Sequence, residues 1–398
     1  MKKNAYHKNQ LNILHFLKVI AIIVISRSKK GLKHQMRLIM INSCRSGMKL
    51  ARSIYNSNGT VLVGSGVLLT DRMIDRLRNM KVFHLYIEDP DTVDILIDDI
   101  ISEKTRQEAM TFIHTSFEAF REDPKKFRQV FTAEKMGLRV RDMLNHLVDE
   151  LKQNKNAMNL LGSICGVDSY VFVHSFNVTI YAISIGLRMG LPEKQIIELG
   201  VGAILHDIGK MMIPLHILNK PSRLTDEEYQ IVKTHTTLGF DVLRQHDDIP
   251  LLAAHCAFQH HERLDGTGYP RQLTEPDIHP YAKIMAVCDV FDALTSYRVY
   301  RKPMLPHDAT ELLFAGSGSQ YCQRVLESFR NSVAIYPIGL GVKLNTGESG
   351  VVIRNNQSVL ARPVIRILEN EAKEKITPYE LDLSIELNVM ISESEALG

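Results

Sequence analysis

Between residues 155 and 330 the chain presents helix start and stop signals in succession and no convincing strand alternation, so this stretch must bury its apolar residues as a bundle of packed helices. One helix is expected over residues 169–189, where Gly190-Leu191-Pro192 supplies a stop and a restart, and another over residues 193–210. Thr225, followed by Asp226, Glu227 and Glu228, reads as an N-cap with acids in the first turn, opening the helix expected to carry His235. A further helix after Pro280 holds Asp289 and Asp292.

The flanking regions read differently. Residues 36–101 carry short apolar runs at 37–41 and 60–69 around an Asn58-Gly59 turn, then a short helix with Met73, Ile74 and Leu77 on one face, then a strand at 82–87. That pattern predicts a small α+β accessory domain. Residues 102–154 are helical, amphipathic and highly charged, interrupted at Pro124, and are expected to connect the domains or to dimerise the protein. The tail, 337–398, places strands at 341–344, 351–354 and 364–368 around Thr346-Gly347 and Asn355-Asn356, a small β appendage. The fold class expected is therefore mainly α, with an α+β front domain and a β tail.

The first 35 residues hold an apolar run at 11–25 that Lys18 interrupts. A spanning helix needs ~20 predominantly apolar residues, and no small-x-small cleavage site follows, so the segment reads as an upstream extension, with a weak membrane anchor as the alternative. The five cysteines are odd in number, widely spaced and without CxxC, which excludes a disulfide framework and a zinc-thiolate site and fits the cytoplasm. Lys plus Arg exceed Asp plus Glu by 48 to 45, and a net charge of +3 is too small for a general nucleic-acid surface. DNA is not an expected partner, and any anionic ligand must be bound locally.

Within the helical region the candidate metal ligands are His174, His206, Asp207, His235, His260, His261 and Asp289, grouped on different expected helices or their ends. Helical bundles build metal sites in this way, with side chains converging from facing helices. His206 follows Ile204-Leu205 and Asp289 follows Met285-Ala286-Val287, so both belong to apolar walls. A carboxylate there is costly unless it is paired or binds metal. Five imidazoles and two carboxylates exceed one tetrahedral zinc and suit two ions of higher coordination sharing a carboxylate and a hydroxide.

LHDIGK at 205–210, HHERLDGTGYP at 260–270 and VCDVFDALTSYRVYRKPM at 287–304 together resemble the HD-GYP subgroup of the HD phosphohydrolase superfamily, over residues 155–336. The resemblance implies a helical HD-type bundle and hydrolysis of the bacterial messenger cyclic di-GMP to linear pGpG or GMP at a centre of iron or manganese. It matches all seven candidate ligands position by position, and it implies that Gly268, Tyr269 and Pro270 form a turn bracing the wall beside His260 and His261. It also implies phosphate-binding roles for Arg298 and Arg301, which taken alone read as solvated surface charges.

A phosphodiester is shielded by its own negative oxygens, so its hydrolysis requires charge neutralisation and a hydroxide near neutral pH, which paired cations supply. Asp207 is the expected bridging carboxylate. Lys210, four residues after His206, is expected on the same helix face and toward the substrate phosphate. Asp292, at i+3 from Asp289, is either an acceptor that orients a ligand or a helix-capping or salt-bridging residue. Tyr181 and Tyr300 are candidates to stack on guanine, against a packing role. Some members of the family hold a third metal with a glutamate four residues before the first ligand histidine. Tyr170 stands there, so two divalent ions are expected. His216 falls where an acidic residue is frequent, and His255 and Cys288 read as packing residues. The alternatives to an active phosphodiesterase are a non-hydrolysing receptor whose Gly-Tyr-Pro turn docks a diguanylate cyclase of the GGDEF type, and an HD hydrolase of another cyclic nucleotide.

Overall fold

The computed structural model describes residues 34–55, 60–80, 82, 84–89, 96–97, 101–122, 136–153, 158–159, 170–296, 304–334, 336–356 and 359–394. The apolar run at 11–25, the Asn58-Gly59 turn and the interruption at Pro124 lie outside them. In the front region β1 (His34–Gln35), β2 (Arg37–Met40), β3 (Ile54–Tyr55) and β4 (Val61–Val63) precede α1 (Asp71–Asn79), β5 (His84–Ile87) and β6 (Leu96–Ile97). The antiparallel pairs are β1 with β6, β2 with β5, and β3 with β4. Thr70 caps α1 by accepting from the Met73 amide, and Ile74 and Leu77 are buried against Leu50, Ile54 and Leu85.

Helices α2 (Glu103–Glu122) and α3 (Met136–Gln153) lead into the centre of the molecule. Their charged faces suggest a linker, but their apolar faces, including Ile113, Phe117, Phe120, Leu144 and Leu147, enter the same core as the ligand-bearing helices. Full burial of each such side chain contributes about 1.5–3 kcal/mol. Glu150 ties the pair together, accepting from the Ser102 amide at 2.8 Å and the Thr105 hydroxyl at 2.9 Å. No boundary in packing therefore separates these helices from the domain that follows.

That domain continues through α4 (Tyr170–Arg188), α5 (Glu193–Leu205), α6 (Leu215–Leu218), α7 (Asp226–Lys233), α8 (His235–Leu243), α9 (Leu251–Gln259), α10 (Pro280–Thr295), α11 (Pro306–Ala315) and α12 (Gln323–Arg330). Among the described residues α4 alone is long and apolar enough to cross a membrane, yet 72% of its apolar window is buried, as befits a core helix. Two expected helices are each broken at a ligand. The helix expected over 193–210 ends at Leu205, because Asp207 takes φ −100° and ψ 7°, and a 3-10 turn over Ile208–Met212 follows. The helix opened by Thr225 has its capping box with Glu228, but stops at Lys233 and restarts at His235.

The five-stranded antiparallel tail sheet is made of β7 (Gly341–Leu344), β8 (Ser349–Arg354), β9 (Val364–Glu369), β10 (Lys375–Asp382) and β11 (Ile391–Ser394), in the order β10, β9, β8, β7, β11. It packs with the front region. Met36, Leu38 and Tyr86 share a core with Leu340, Val342 and Ile367, and the Leu38 amide donates to the Gly339 carbonyl at 2.9 Å. These contacts join segments some 300 positions apart, and local patterns carry no trace of them.

The ligand segments approach at Gly209. A Cβ there would stand 2.0 Å from the His235 carbonyl oxygen and 2.7 Å from the Gly239 nitrogen. Gly209→Ala must therefore part the 3-10 turn from α8, at about 1–3 kcal/mol for overpacking. Thermal unfolding is expected to show a melting temperature several degrees lower, and an unchanged one would show slack at this crossing.

Candidate metal centre

Four histidines present their Nε2 atoms to one buried space, each held through its other ring nitrogen. His206 Nδ1 donates to the Ala203 carbonyl at 2.7 Å, and His235 Nδ1 to that of Val232 at 2.6 Å. His260 Nδ1 lies 3.0 Å from the carbonyls of both Cys256 and Ala257. Carbonyl oxygens only accept, so these Nδ1 atoms carry the hydrogen and the Nε2 atoms carry lone pairs. His174, on α4, sets its Nδ1 2.8 Å from Asp292 Oδ2, while Asp292 Oδ1 accepts from Asn177 at 2.9 Å. Asp292 thus fixes the ring of the candidate ligand His174, and the same contact is the ion pair that its other reading expected.

The carboxylates divide this space. Asp207 Oδ2 lies 3.4 Å from both His174 Nε2 and His206 Nε2, and its Oδ1 lies 3.5 Å from His235 Nε2 and 3.7 Å from His260 Nε2. Asp289 places Oδ1 3.1 Å from His174 Nε2 and Oδ2 3.6 Å from His261 Nδ1. His174, His206 and Asp207 form one compact ligand group, and His235, His260 and His261 form another. One oxygen of Asp207 faces each.

The residues present fit cations. His235 Nε2 and His260 Nε2 stand 3.4 Å apart with both Nδ1 hydrogens already engaged, so two lone pairs oppose one another. His206 Nε2 and Asp207 Oδ1 are buried and make no hydrogen bond among the described residues. Metal–nitrogen and metal–oxygen bonds of about 2.0–2.2 Å would place neighbouring donors at roughly the separations seen.

The electrostatics suit cations at four of the five rings, and His174, paired with two carboxylates, stands apart. Burial pushes the pKa of His260 down to about 3 and that of His235 down to about 4, and it also lowers His206 and His261, so these rings are neutral. Burial acts against the charged form of Asp207 too, but the Lys210 ammonium and the nearby imidazoles hold the carboxyl well below its usual range. Asp289 behaves likewise, with His174 as its main partner. Burial would lower His174, but hydrogen bonds to Asp289 and Asp292 outweigh it and raise the pKa to about 9.

Lys210 sits on the 3-10 turn and not on the helix of His206, so the expected i+4 relation does not apply. Its Nζ instead reaches Asp207 Oδ2 at 2.5 Å, at the edge of the ligand cluster.

The loop after His261 closes one side. Gly268 is required there: a Cβ would lie 2.4 Å from Glu262 Cα and from the Arg263 nitrogen. Tyr269, joined to Pro270 by a cis peptide, stacks on the His261 ring at 4.6 Å and 27°. Glu262 is buried and accepts from the amides of Arg271 at 2.8 Å and Leu273 at 2.9 Å, which fastens the turn to the ligand segment.

All seven expected ligands and Lys210 thus come together. Arg298, Tyr300 and Arg301 lie outside the described residues, as does the side chain of Tyr170. Tyr181 is buried against Phe291 and Phe329, a packing residue and not a surface for guanine. His255 packs on Phe240, Cys288 is buried, and His216 is exposed. Glu262 and Asn177 escaped the sequence reading. Asn177 follows His174 at i+3, a spacing that offers a signal, whereas Glu262 serves backbone amides and leaves none.

The sequence matches the HD domain family over residues 140–325 and the KOW domain associated with HD domain over residues 341–396. The first of these begins inside α3. A cyclic di-GMP phosphodiesterase of Pseudomonas aeruginosa is 34% identical over 240 residues, 60% of this chain and 58% of that protein. A cyclic di-GMP phosphodiesterase of Thermotoga maritima is 46% identical over 143 residues, 36% of this chain and 39% of that protein. A 3'3'-cGAMP-specific phosphodiesterase of Vibrio cholerae is 32% identical over 186 residues, 46% of this chain and 36% of that protein. The chain thus spans between about two-fifths and three-fifths of the length of the first two relatives. The seven residues singled out in the sequence thus come together within the stretch that matches the HD domain family, and the tail that follows matches the KOW domain associated with it.

Proposed function

We propose that the protein is a metal-dependent phosphodiesterase that hydrolyses cyclic di-GMP. The observation that carries this reading is Asp207, fully buried, with one oxygen toward each of two ligand groups. His174, His206 and Asp289 would hold one divalent ion, and His235, His260 and His261 the other. When bound, iron or manganese ions supply charge neutralisation on a phosphate oxygen and a hydroxide near neutral pH. A binding module has no need of so many buried ligands, which favours hydrolysis over a receptor. Tyr170, in place of a third-site glutamate, supports two ions per chain.

The chain's own residues do the positioning. Carbonyls and Asp292 fix the rings, so the donors need no rearrangement on loading. Tyr269 stacks on His261 and fixes the plane of its ring. Lys210, partly exposed beside Asp207, is the described cation placed to meet the phosphate as it gathers negative charge.

Protein loaded anaerobically with iron or manganese and incubated with cyclic di-GMP is expected to release linear pGpG or GMP, with two ions bound per chain. Similarity to the 3'3'-cGAMP-specific relative makes that nucleotide the comparison substrate. Failure of a fully loaded protein to cleave cyclic di-GMP would refute the reading.

Lys210→Ala is expected to lower turnover by about a hundredfold or more, the scale for losing one transition-state contact, with metal content unchanged. Equal loss of metal and turnover would instead assign Lys210 to holding Asp207 ionised.

A further inference from the structure

Beyond His261 the wall of the site continues into a cluster with no part in holding metal. Tyr269 stacks on His261, and the Tyr229 ring lies 6.4 Å from that of Tyr269 in an edge arrangement. Lys233 holds its ammonium 4.7 Å from the Tyr229 centroid and 5.5 Å from that of Tyr269. Both Tyr229 and Lys233 lie on α7, immediately before the ligand His235, so the cluster is rigidly tied to the second ligand group.

Two features distinguish it from ordinary packing. Tyr229 leaves 44% of its surface exposed, so part of its ring is open to solvent beside the buried cluster. Lys233 makes no ion pair among the described residues, although carboxylates are common on its helix. An exposed aromatic face next to an unneutralised ammonium suits a ligand that is both flat and anionic. A phosphodiester seated against the two ligand groups has its nucleosides within a few bonds of phosphorus, and a cyclic dinucleotide has a second phosphate that those groups do not engage.

We infer that Tyr229 and Lys233 form the subsite for the half of the cyclic dinucleotide that is not being cleaved, with its purine stacked on Tyr229 and its phosphate facing Lys233. The inference rests on the functional reading above for the class of ligand. Tyr269 is the fixed partition between this subsite and His261. The cluster binds and orients substrate and takes no part in the chemical step.

The test is equilibrium binding of a non-hydrolysable phosphorothioate analogue of cyclic di-GMP to the metal-loaded full chain by titration calorimetry. Stacking of a base on an aromatic residue sets the scale: Tyr229→Ala is expected to raise Kd about tenfold. Lys233→Gln is expected to raise it several-fold, while Tyr229→Phe, which keeps the ring, stays within about twofold of the parent. Metal content is measured on each variant. Unchanged Kd in both Tyr229→Ala and Lys233→Gln, or a weakening matched by lost metal, overturns the inference, the second result showing that the cluster only supports His261. A parent chain that binds the analogue but leaves cyclic di-GMP intact refutes the enzymatic reading and leaves the subsite standing. A parent chain that does neither refutes both.

Discussion

The structure turns on a carboxylate that the core should not tolerate. Asp207 is inaccessible to water, and an ionised carboxyl in such a place is stable only when positive charge surrounds it. Lys210 reaches just one of its oxygens, and the neighbouring rings are mostly neutral because burial disfavours their charged forms. Two ligand groups therefore share a carboxylate and contain little positive charge of their own. The neutrality of His206, His235, His260 and His261 and the ionisation of the aspartates suit the site to cations, which would displace the proton that the carboxylates hold on His174.

Much of the surrounding fold serves to keep seven side chains in place. The helices end at Leu205 and Lys233, next to His206-Asp207 and His235, so these residues stand at element ends from which they face one centre. Gly209 lets those two ends meet, and Gly268 lets the Tyr269 turn fold back over the His261 segment. Glu262 then fastens that turn through backbone amides. The glycines and the buried glutamate bind nothing themselves and act through the precision of the ligands.

The cluster that makes up the candidate metal centre was legible in the sequence because such chemistry requires particular residue types, and histidines and aspartates at helix ends in an apolar context are rare enough to stand out. The helices were legible from caps such as Thr225, whose capping box is present. What escaped was whatever depends on distant pairing. Strand Arg37–Met40 lies beside the segment leading into the tail sheet, and the helices at 103–122 and 136–153 enter the central core, because of contacts between remote segments that no local pattern encodes. The helix expected to reach Lys210 ends at Leu205 and passes through Asp207 into a 3-10 turn, where Gly209 packs on the His235 backbone, another contact between separate segments.

The claim that one aspartate joins two cation sites is tested most directly by anomalous diffraction from crystals of the iron-loaded protein. Two peaks are expected, one among His174, His206 and Asp289 and the other among His235, His260 and His261, each at about 2.0–2.2 Å from a different oxygen of Asp207. A single peak, or two peaks of which either lies beyond bonding distance of Asp207, would contradict it.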